Sequence, residues 1–411
     1  MKKSLIYKLV TLNIFLLVLA SCEHNTPVTP VDPVDTTTVQ PVDTGSVTPI
    51  DTTDVEPLPD HYDSLLMQMT LRERVGQLFC IRPEALDTTI NIHGNLRTNP
   101  LQSVNERMLA FNERYPVGGV ILYAHNISNE TQLTRFTEQL HALNGQPLLY
   151  IDEEGGTIAR IGNNSNFNVE RFPPMASIGA TGDPSNAYHC GNAIGTYLHQ
   201  YGLDVNLAPV ADVNTNPDNI VIGNRAFSND PQVAAPMVVQ YLLGLHEAGT
   251  IGCLKHFPGH GDTKTDTHYG YAETLKTWPE MLACEMITFR AGIDAGAQMI
   301  MTAHIAAPNV TNSAIPATMS SLILQNKLRG ELGYEHIIIT DGMEMGAITQ
   351  QYTPGNAAVG CLQAGADIIL GPEDFIKAFE AVVHAVEVGS IPEWRINQSV
   401  RRILMLKENR P

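Results

Sequence analysis

The densest collection of reactive side chains in the 411-residue chain is KHFPGHGDTKTDTH, which packs Lys255, His256, His260, Asp262, Lys264, Asp266 and His268 into 14 positions. Pro258, Gly259 and Gly261 prevent a helix there, so the segment reads as a loop leaving a strand. Three imidazoles and two carboxylates at short spacing first suggest a metal site. His256 and His260, however, share a face only if the backbone is helical. The chain has no His-x-His pair of the barrel metallohydrolase kind, and Lys255 and Lys264 would oppose a cation. No metal is expected, and the groups are better suited to proton transfer and to gripping a polar ligand.

Such groups need strands to aim them. Short runs rich in β-branched residues occur near 77–82, 117–123, 147–152, 204–210, 251–256, 299–304, 336–341 and 367–370, alternating with stretches of helical period such as Pro231 to Ala248 and Met319 to Leu332. An amphipathic helix containing the capping-box pattern Thr70-Leu71-Arg72-Glu73 is expected from Asp63 to Leu78, and two helices after Asp374. Eight strand–helix units predict an α/β fold, a (β/α)8 TIM-type barrel. An open doubly wound sheet has the same alternation. The barrel is favoured because Asp152, Lys255 with His256, His304 and Asp341 fall at the C-terminal ends of different strands, where barrel enzymes build their sites.

Three motifs in order, IDEEGGTIAR (151–160), KHFPGHGDTKTDTH (255–268) and ITDGMEM (339–345), give the segment from about Ser64 to the end a resemblance to glycoside hydrolase family 3. It looks most similar to the bacterial β-N-acetylglucosaminidases made of a single barrel domain. The resemblance implies that Asp341 is the nucleophile forming a covalent glycosyl-enzyme, and that His268, supported by Asp266, is the acid/base. It also implies that Asp152, Arg160, Arg225, Lys255 and His256 bind the sugar, and that no cofactor is needed. The implied activity is that of a retaining exo-β-N-acetylglucosaminidase acting on terminal β-GlcNAc of peptidoglycan fragments or other glycans. The alternatives are a β-glycoside phosphorylase built on the same intermediate and a glycan-binding lipoprotein without catalysis. Because 70 residues follow Asp341, an acid/base from the loop is expected rather than one from a further domain.

His304 is expected to shape the pocket floor, and His260 and Asp262 to hold the loop. Tyr123, Phe227 and Tyr269 are each candidates either for packing on a sugar face or for the core. Two positions depart from the family's usual pattern: Gly342 replaces a second Asp, and Thr267 replaces Ser. Gly342 and Met343 are expected to reshape the pocket wall.

The N-terminal residues read as an address. Lys2, Lys3 and Lys8 flank an apolar run that ends in Leu19-Ala20-Ser21-Cys22, a signal-peptide pattern that looks like a bacterial lipobox with Cys22 as the lipidated residue. Residues 23–60 hold 7 Pro, 9 Thr and 8 acidic side chains with no Lys or Arg, the composition of an extended solvated linker. The expected organisation is therefore a signal of 1–22, a tether of 23–60 and one barrel of 61–411. The expected product is an exported lipoprotein, membrane-anchored on the periplasmic face or at the cell surface. Net charge is −18 overall and −13 over residues 61–411, which argues against a polyanion partner, so no nucleic acid is expected. Five scattered Cys besides Cys22 do not read as a disulfide framework.

Overall fold

The computed structural model describes residues 60–98, 100–264, 266–267 and 270–409; the signal segment, Cys22, nearly all of the tether, His268 and Tyr269 lie outside the described residues. Eight parallel strands appear where the sequence places them: β1 Phe79–Ile81, β2 Gly119–Leu122, β3 Leu148–Ile151, β4 Val205–Asn206, β5 Ile251–Phe257, β6 Met299–Thr302, β7 Ile337–Thr340 and β8 Ile369–Leu370. From β1 to β7 each strand pairs with the next in sequence, and β8 pairs with β1. The ring is completed between β7 and β8 by an Ile339–Ile368 bridge and a Thr340 N–H bond to the Ile368 carbonyl at 2.9 Å. All described residues of these strands are buried. That suits their near-continuous apolar sequence, since a sheet wrapped by helices has no wet face.

Helices form where the sequence supplies a cap. Asp183-Pro184 and Asp230-Pro231 each start a 17-residue helix, Pro184–Gln200 and Pro231–Glu247, with the Asp side chain accepting a backbone N–H and Pro in the first turn. The two helices pack so closely that a side chain at Gly191 would collide with the Tyr241 carbonyl. Two expectations need correction. The single helix over 63–78 is two, His61–Gln68 and Leu71–Gln77, because Thr70 is extended and caps the second with Glu73 in the predicted box. The stretch 319–332 opens with a one-turn segment, Ala317–Met319, and becomes helical only over Leu322–Glu331, wound more widely than an α-helix.

The bottom of the barrel is tied by one carboxylate. Asp367, fully buried just before β8, accepts from Arg329 Nη2 at 2.6 Å, Arg402 Nη1 at 3.1 Å, Ser399 Oγ at 2.5 Å and the Ile338 N–H at 2.9 Å. Burial opposes its ionisation, but Arg329, Arg402 and Arg395 outweigh that and hold its pKa below the usual carboxylate value. Arg402 and Ser399 lie on the last helix, Glu393–Glu408, so the network fastens that helix to the barrel. Asp367→Ala should strand buried guanidinium groups and cost about 3–5 kcal/mol. The check is urea denaturation at neutral pH, with an unchanged midpoint as the contrary result.

Candidate active site

A cavity of about 310 Å³ opens at the C-terminal ends of the strands. Its lining includes Asp152, Arg160, Arg225, Lys255, His256 and Asp341. Six of the eight candidate catalytic and sugar-binding residues thus converge on one pocket from β3, β4, β5 and β7. Asp266 is half-buried on the loop after β5, and His268 lies outside the described residues.

The pocket is organised around Lys255. Its ammonium, 2% exposed, lies 3.0 Å from Asp152 Oδ1 and 2.6 Å from Glu154 Oε1. Glu154 in turn receives both forks of Arg225, Nε at 2.9 Å and Nη2 at 2.7 Å. Burial disfavours charge on each of these groups, yet mutual attraction prevails: Glu154 is held well below the usual carboxylate range, and Lys255 and Arg225 are raised. Arg160 reaches Asp152 at 3.4 Å from the short hairpin Glu153–Gly155/Ile158–Ala159. That hairpin is fixed by Glu153, which points the other way. It accepts the backbone N–H groups of Arg160, Ile161 and Gly162 and the Tyr197 hydroxyl at 2.5–3.0 Å.

A second carboxylate sets the histidine. Asp212, fully buried beyond β4, meets His256 Nδ1 at 2.6 Å and accepts the N–H groups of His256 and His260. The His256 ring is thereby fixed with Nε2 left for other partners, and the start of the loop is pinned. The Lys255–His256 peptide is cis.

Asp341, at the end of β7, takes the Gly342 N–H at 2.8 Å. Burial would raise its pKa, but His256, His304, the Gly342 N–H and Lys255 together hold it below the ordinary value. It is therefore an ionised carboxylate at neutral pH, facing a pocket lined by charged hydrogen-bonding groups. His304 bonds the Thr318 hydroxyl at 2.9 Å and the Gly342 carbonyl at 3.0 Å, supporting the turn that carries Asp341. Thr267, one residue past Asp266, is buried, bonds His260 Nε2 at 3.2 Å and accepts the Ala347 N–H. His260 and Asp262 brace the loop: His260 also bonds Thr263, and Asp262 bonds Thr274.

Phe227 is 1% exposed and packs edge-on to Tyr241, so of its two expected places it takes the core. One expectation fails here. Met343 points into the core, and the wall after Asp341 is made instead by Gly342, Glu344 and Met345. Glu154, Asp212 and Glu344 were not anticipated from the sequence. The signal for two of them was present: residues 152 and 154 share a face at the end of β3 by the two-residue period, and Asp212 ends an apolar run just as Asp152 and Asp341 do.

The fold and pocket define a (β/α)8-barrel protein whose strand ends present an ionised carboxylate beside a fixed set of charged hydrogen-bonding groups. A model described as the glycosyl hydrolase family 3 N terminal domain matches residues 70–406, and the chain belongs to that family. It is 36% identical over 327 residues to a β-hexosaminidase A of Pseudoalteromonas piscicida, covering 72% of this chain and 54% of that protein. A β-hexosaminidase of Nitrosomonas eutropha is 33% identical over 305 residues, covering 71% and 86%. Among solved structures, a glycoside hydrolase family 3 β-N-acetylglucosaminidase from Paenibacillus sp. str. FPU-7 superposes with a TM-score of 0.75 at 34% identity, over 83% of this chain and 62% of that one. The chain thus spans about half the length of the first relative and most of the second.

Lys255→Met leaves Asp152 and Glu154 without their shared cation while Arg225 still holds Glu154, so the Glu154 pKa should rise from its depressed position toward the ordinary value. At pH 7 both folded and unfolded chains carry the charge, and the loss should be about 3–5 kcal/mol. As pH falls through the carboxylate range the folded variant takes up a proton before the folded wild type does, so its deficit against wild type should shrink. Chemical denaturation of both proteins at pH 7 and pH 4 measures this; a deficit independent of pH is the opposing outcome.

Proposed function

We propose that the protein is a retaining exo-β-N-acetylglucosaminidase. The observation that carries this is Asp341, ionised at the pocket floor, next to a rigid Asp152–Lys255–Glu154–Arg225 set too deep to serve the surface. The names of the relatives support the sugar class.

In this reading a terminal β-GlcNAc enters the pocket, and Asp152, Arg160, Lys255 and His256 take its hydroxyls in charge-assisted hydrogen bonds, with Arg225 acting both on the sugar and on Glu154. Asp341 attacks the anomeric carbon as the glycosidic bond breaks. The transition state resembles an oxocarbenium ion, which the carboxylate stabilises before it becomes the acetal of a glycosyl-enzyme. His268, oriented by Asp266, gives its proton to the leaving oxygen, and then removes one from the water that releases the sugar. An imidazole suits both steps because it titrates near neutral pH. Thr267, clamped to His260 and Ala347, anchors the loop on which this pair stands. The natural substrates are peptidoglycan fragments or other glycans that end in β-GlcNAc. Residues 1–22 act as a lipoprotein signal, Cys22 carries the lipid, 23–60 form the spacer and 61–411 the catalytic barrel, so the enzyme works tethered to a membrane outside the cytoplasm.

A panel of p-nitrophenyl glycosides, run with and without phosphate, tests the activity. Release from the β-GlcNAc derivative, unaffected by phosphate, is expected. Activity confined to the β-glucoside would move the sugar class, and phosphate-accelerated formation of a glycosyl phosphate would make the enzyme a phosphorylase. Asp341→Asn should lower kcat by at least about 10³-fold, since the step it performs has no substitute; turnover at the wild-type rate would remove Asp341 as nucleophile.

A further inference from the structure

The pocket wall between β7, β8 and β1 holds a carboxyl group that the mechanism above does not use. Glu344 lines the cavity three residues beyond Asp341. Arg82, just past β1, donates from Nη2 to Glu344 Oε1 at 2.9 Å, and its guanidinium lies over the Tyr123 ring, 5.2 Å from the centroid. Glu344 Oε2 is buried against Gly371, where any side chain would collide with it, and has no hydrogen-bond partner among the described residues. A carboxylate has about four lone-pair directions, and Arg82 occupies one. Burial, with the Asp341 charge adding to it, raises the Glu344 pKa despite Arg82. A pocket acceptor left this far from satisfied is costly to the free protein and is matched by a donor on the ligand.

Handedness identifies that donor. Right-handed strand–helix–strand connections make β1 to β8 run counterclockwise when viewed from their C-terminal ends, the side from which the sugar enters. A carboxylate that displaces a β-linked leaving group must stand on the α face of the ring, so the ring lies with that face toward the floor. Seen from above, the carbons of a D-hexopyranose then run clockwise. With C1 over Asp341 on β7, C3 falls over Lys255 and His256 on β5, and C4 over the loops of β4 and β3. Continuing in the same direction, the exocyclic C6 arm comes to β2 and β1, where Tyr123, Arg82 and Glu344 stand. The 2-substituent falls on the opposite side, toward β6.

We propose that Glu344, oriented by Arg82, receives the C6 hydroxyl of the bound sugar and so makes the pocket selective for units that carry one. A donor reaches Oε1 beside Arg82 or, after a small turn about the soft terminal torsion of the side chain, Oε2. The assignment rests on Asp341 being the nucleophile of a retaining β-glycosidase. Rotating the ring the other way would give Glu344 the 2-substituent instead, which the β configuration of the leaving group does not permit.

The test compares kcat/KM for p-nitrophenyl β-GlcNAc with its 6-deoxy analogue, and for the β-glucoside with the β-xyloside, which lacks the C6 arm. Wild type, Glu344→Ala and Glu344→Gln are each measured. In whichever series wild type turns over, loss of the 6-hydroxyl should cost on the order of 10- to 100-fold. Glu344→Ala should lose a similar factor on the 6-hydroxylated substrate and little on the other, bringing its ratio close to one. Glu344→Gln, which keeps the size of the side chain and one acceptor, should fall between; it decides the matter if the Ala variant does not fold, and wild-type discrimination by it overturns the proposal. Equal loss by Glu344→Ala on both substrates, or a wild type indifferent to the 6-hydroxyl, does the same. Release from none of the four substrates by wild type would instead overturn the glycosidase reading itself.

Discussion

The mouth of the barrel depends on one buried ammonium group. Lys255 is drawn into the protein by Asp152 and Glu154, and an uncompensated charge at that depth would cost several kcal/mol. Each partner is a strand-end or hairpin residue with a further role: Asp152 meets Arg160, and Glu154 holds Arg225. Five charged side chains from three neighbouring strands and their loops therefore fix one another through four ion pairs that share Asp152, Lys255 and Glu154. That mutual dependence gives the pocket a rigid polar wall before any ligand arrives, so little ordering remains to be done on binding.

The same economy governs Asp341. The nucleophile proposed for this position must be ionised but must also keep its lone pairs, and a salt bridge would secure the first at the expense of the second. Here the charge is maintained from a distance by His256, His304 and Lys255, and at contact by the Gly342 N–H alone among the described residues. Asp212 serves this arrangement indirectly, because it fixes the His256 ring and the loop residue His260 together. Glu153 does the corresponding work for Arg160 through three backbone N–H groups. Two carboxylates that do not line the pocket thus set the positions of the groups that do.

Much of this was legible in the sequence, and the reasons for the rest are specific. The eight strands were readable because burial on both faces demands near-continuous apolar runs. The convergence of Asp152, Lys255, His256 and Asp341 followed from their places at strand ends. What was missed depended on geometry that sequence order conceals. Thr70 breaks a helix whose apolar period continues across it. Met343 and Glu344 differ in which way a turn throws them, so the residue expected in the wall lies in the core and its neighbour takes the wall. Arg225 and Glu154 are 71 positions apart and become partners only when the loop after β4 folds back over the hairpin after β3.

The charge of the pocket also bears on the choice of ligand. Asp152, Glu154, Asp341 and Glu344 line one cavity with Arg160, Arg225 and Lys255, and Arg82 pairs with Glu344 from outside the lining, so with that partner counted the acidic and basic side chains are equal in number although the barrel as a whole is strongly acidic. A site for an anion would carry an excess of cations, and a site for a cation the reverse. A balanced set has no reason to draw in an ion, but it offers alternating strong donors and acceptors within a ring-sized space. That is the complement of a neutral polyol, whose hydroxyls each give one hydrogen bond and accept others. With such a balance, selectivity is left to the spacing of donors and acceptors around the ring.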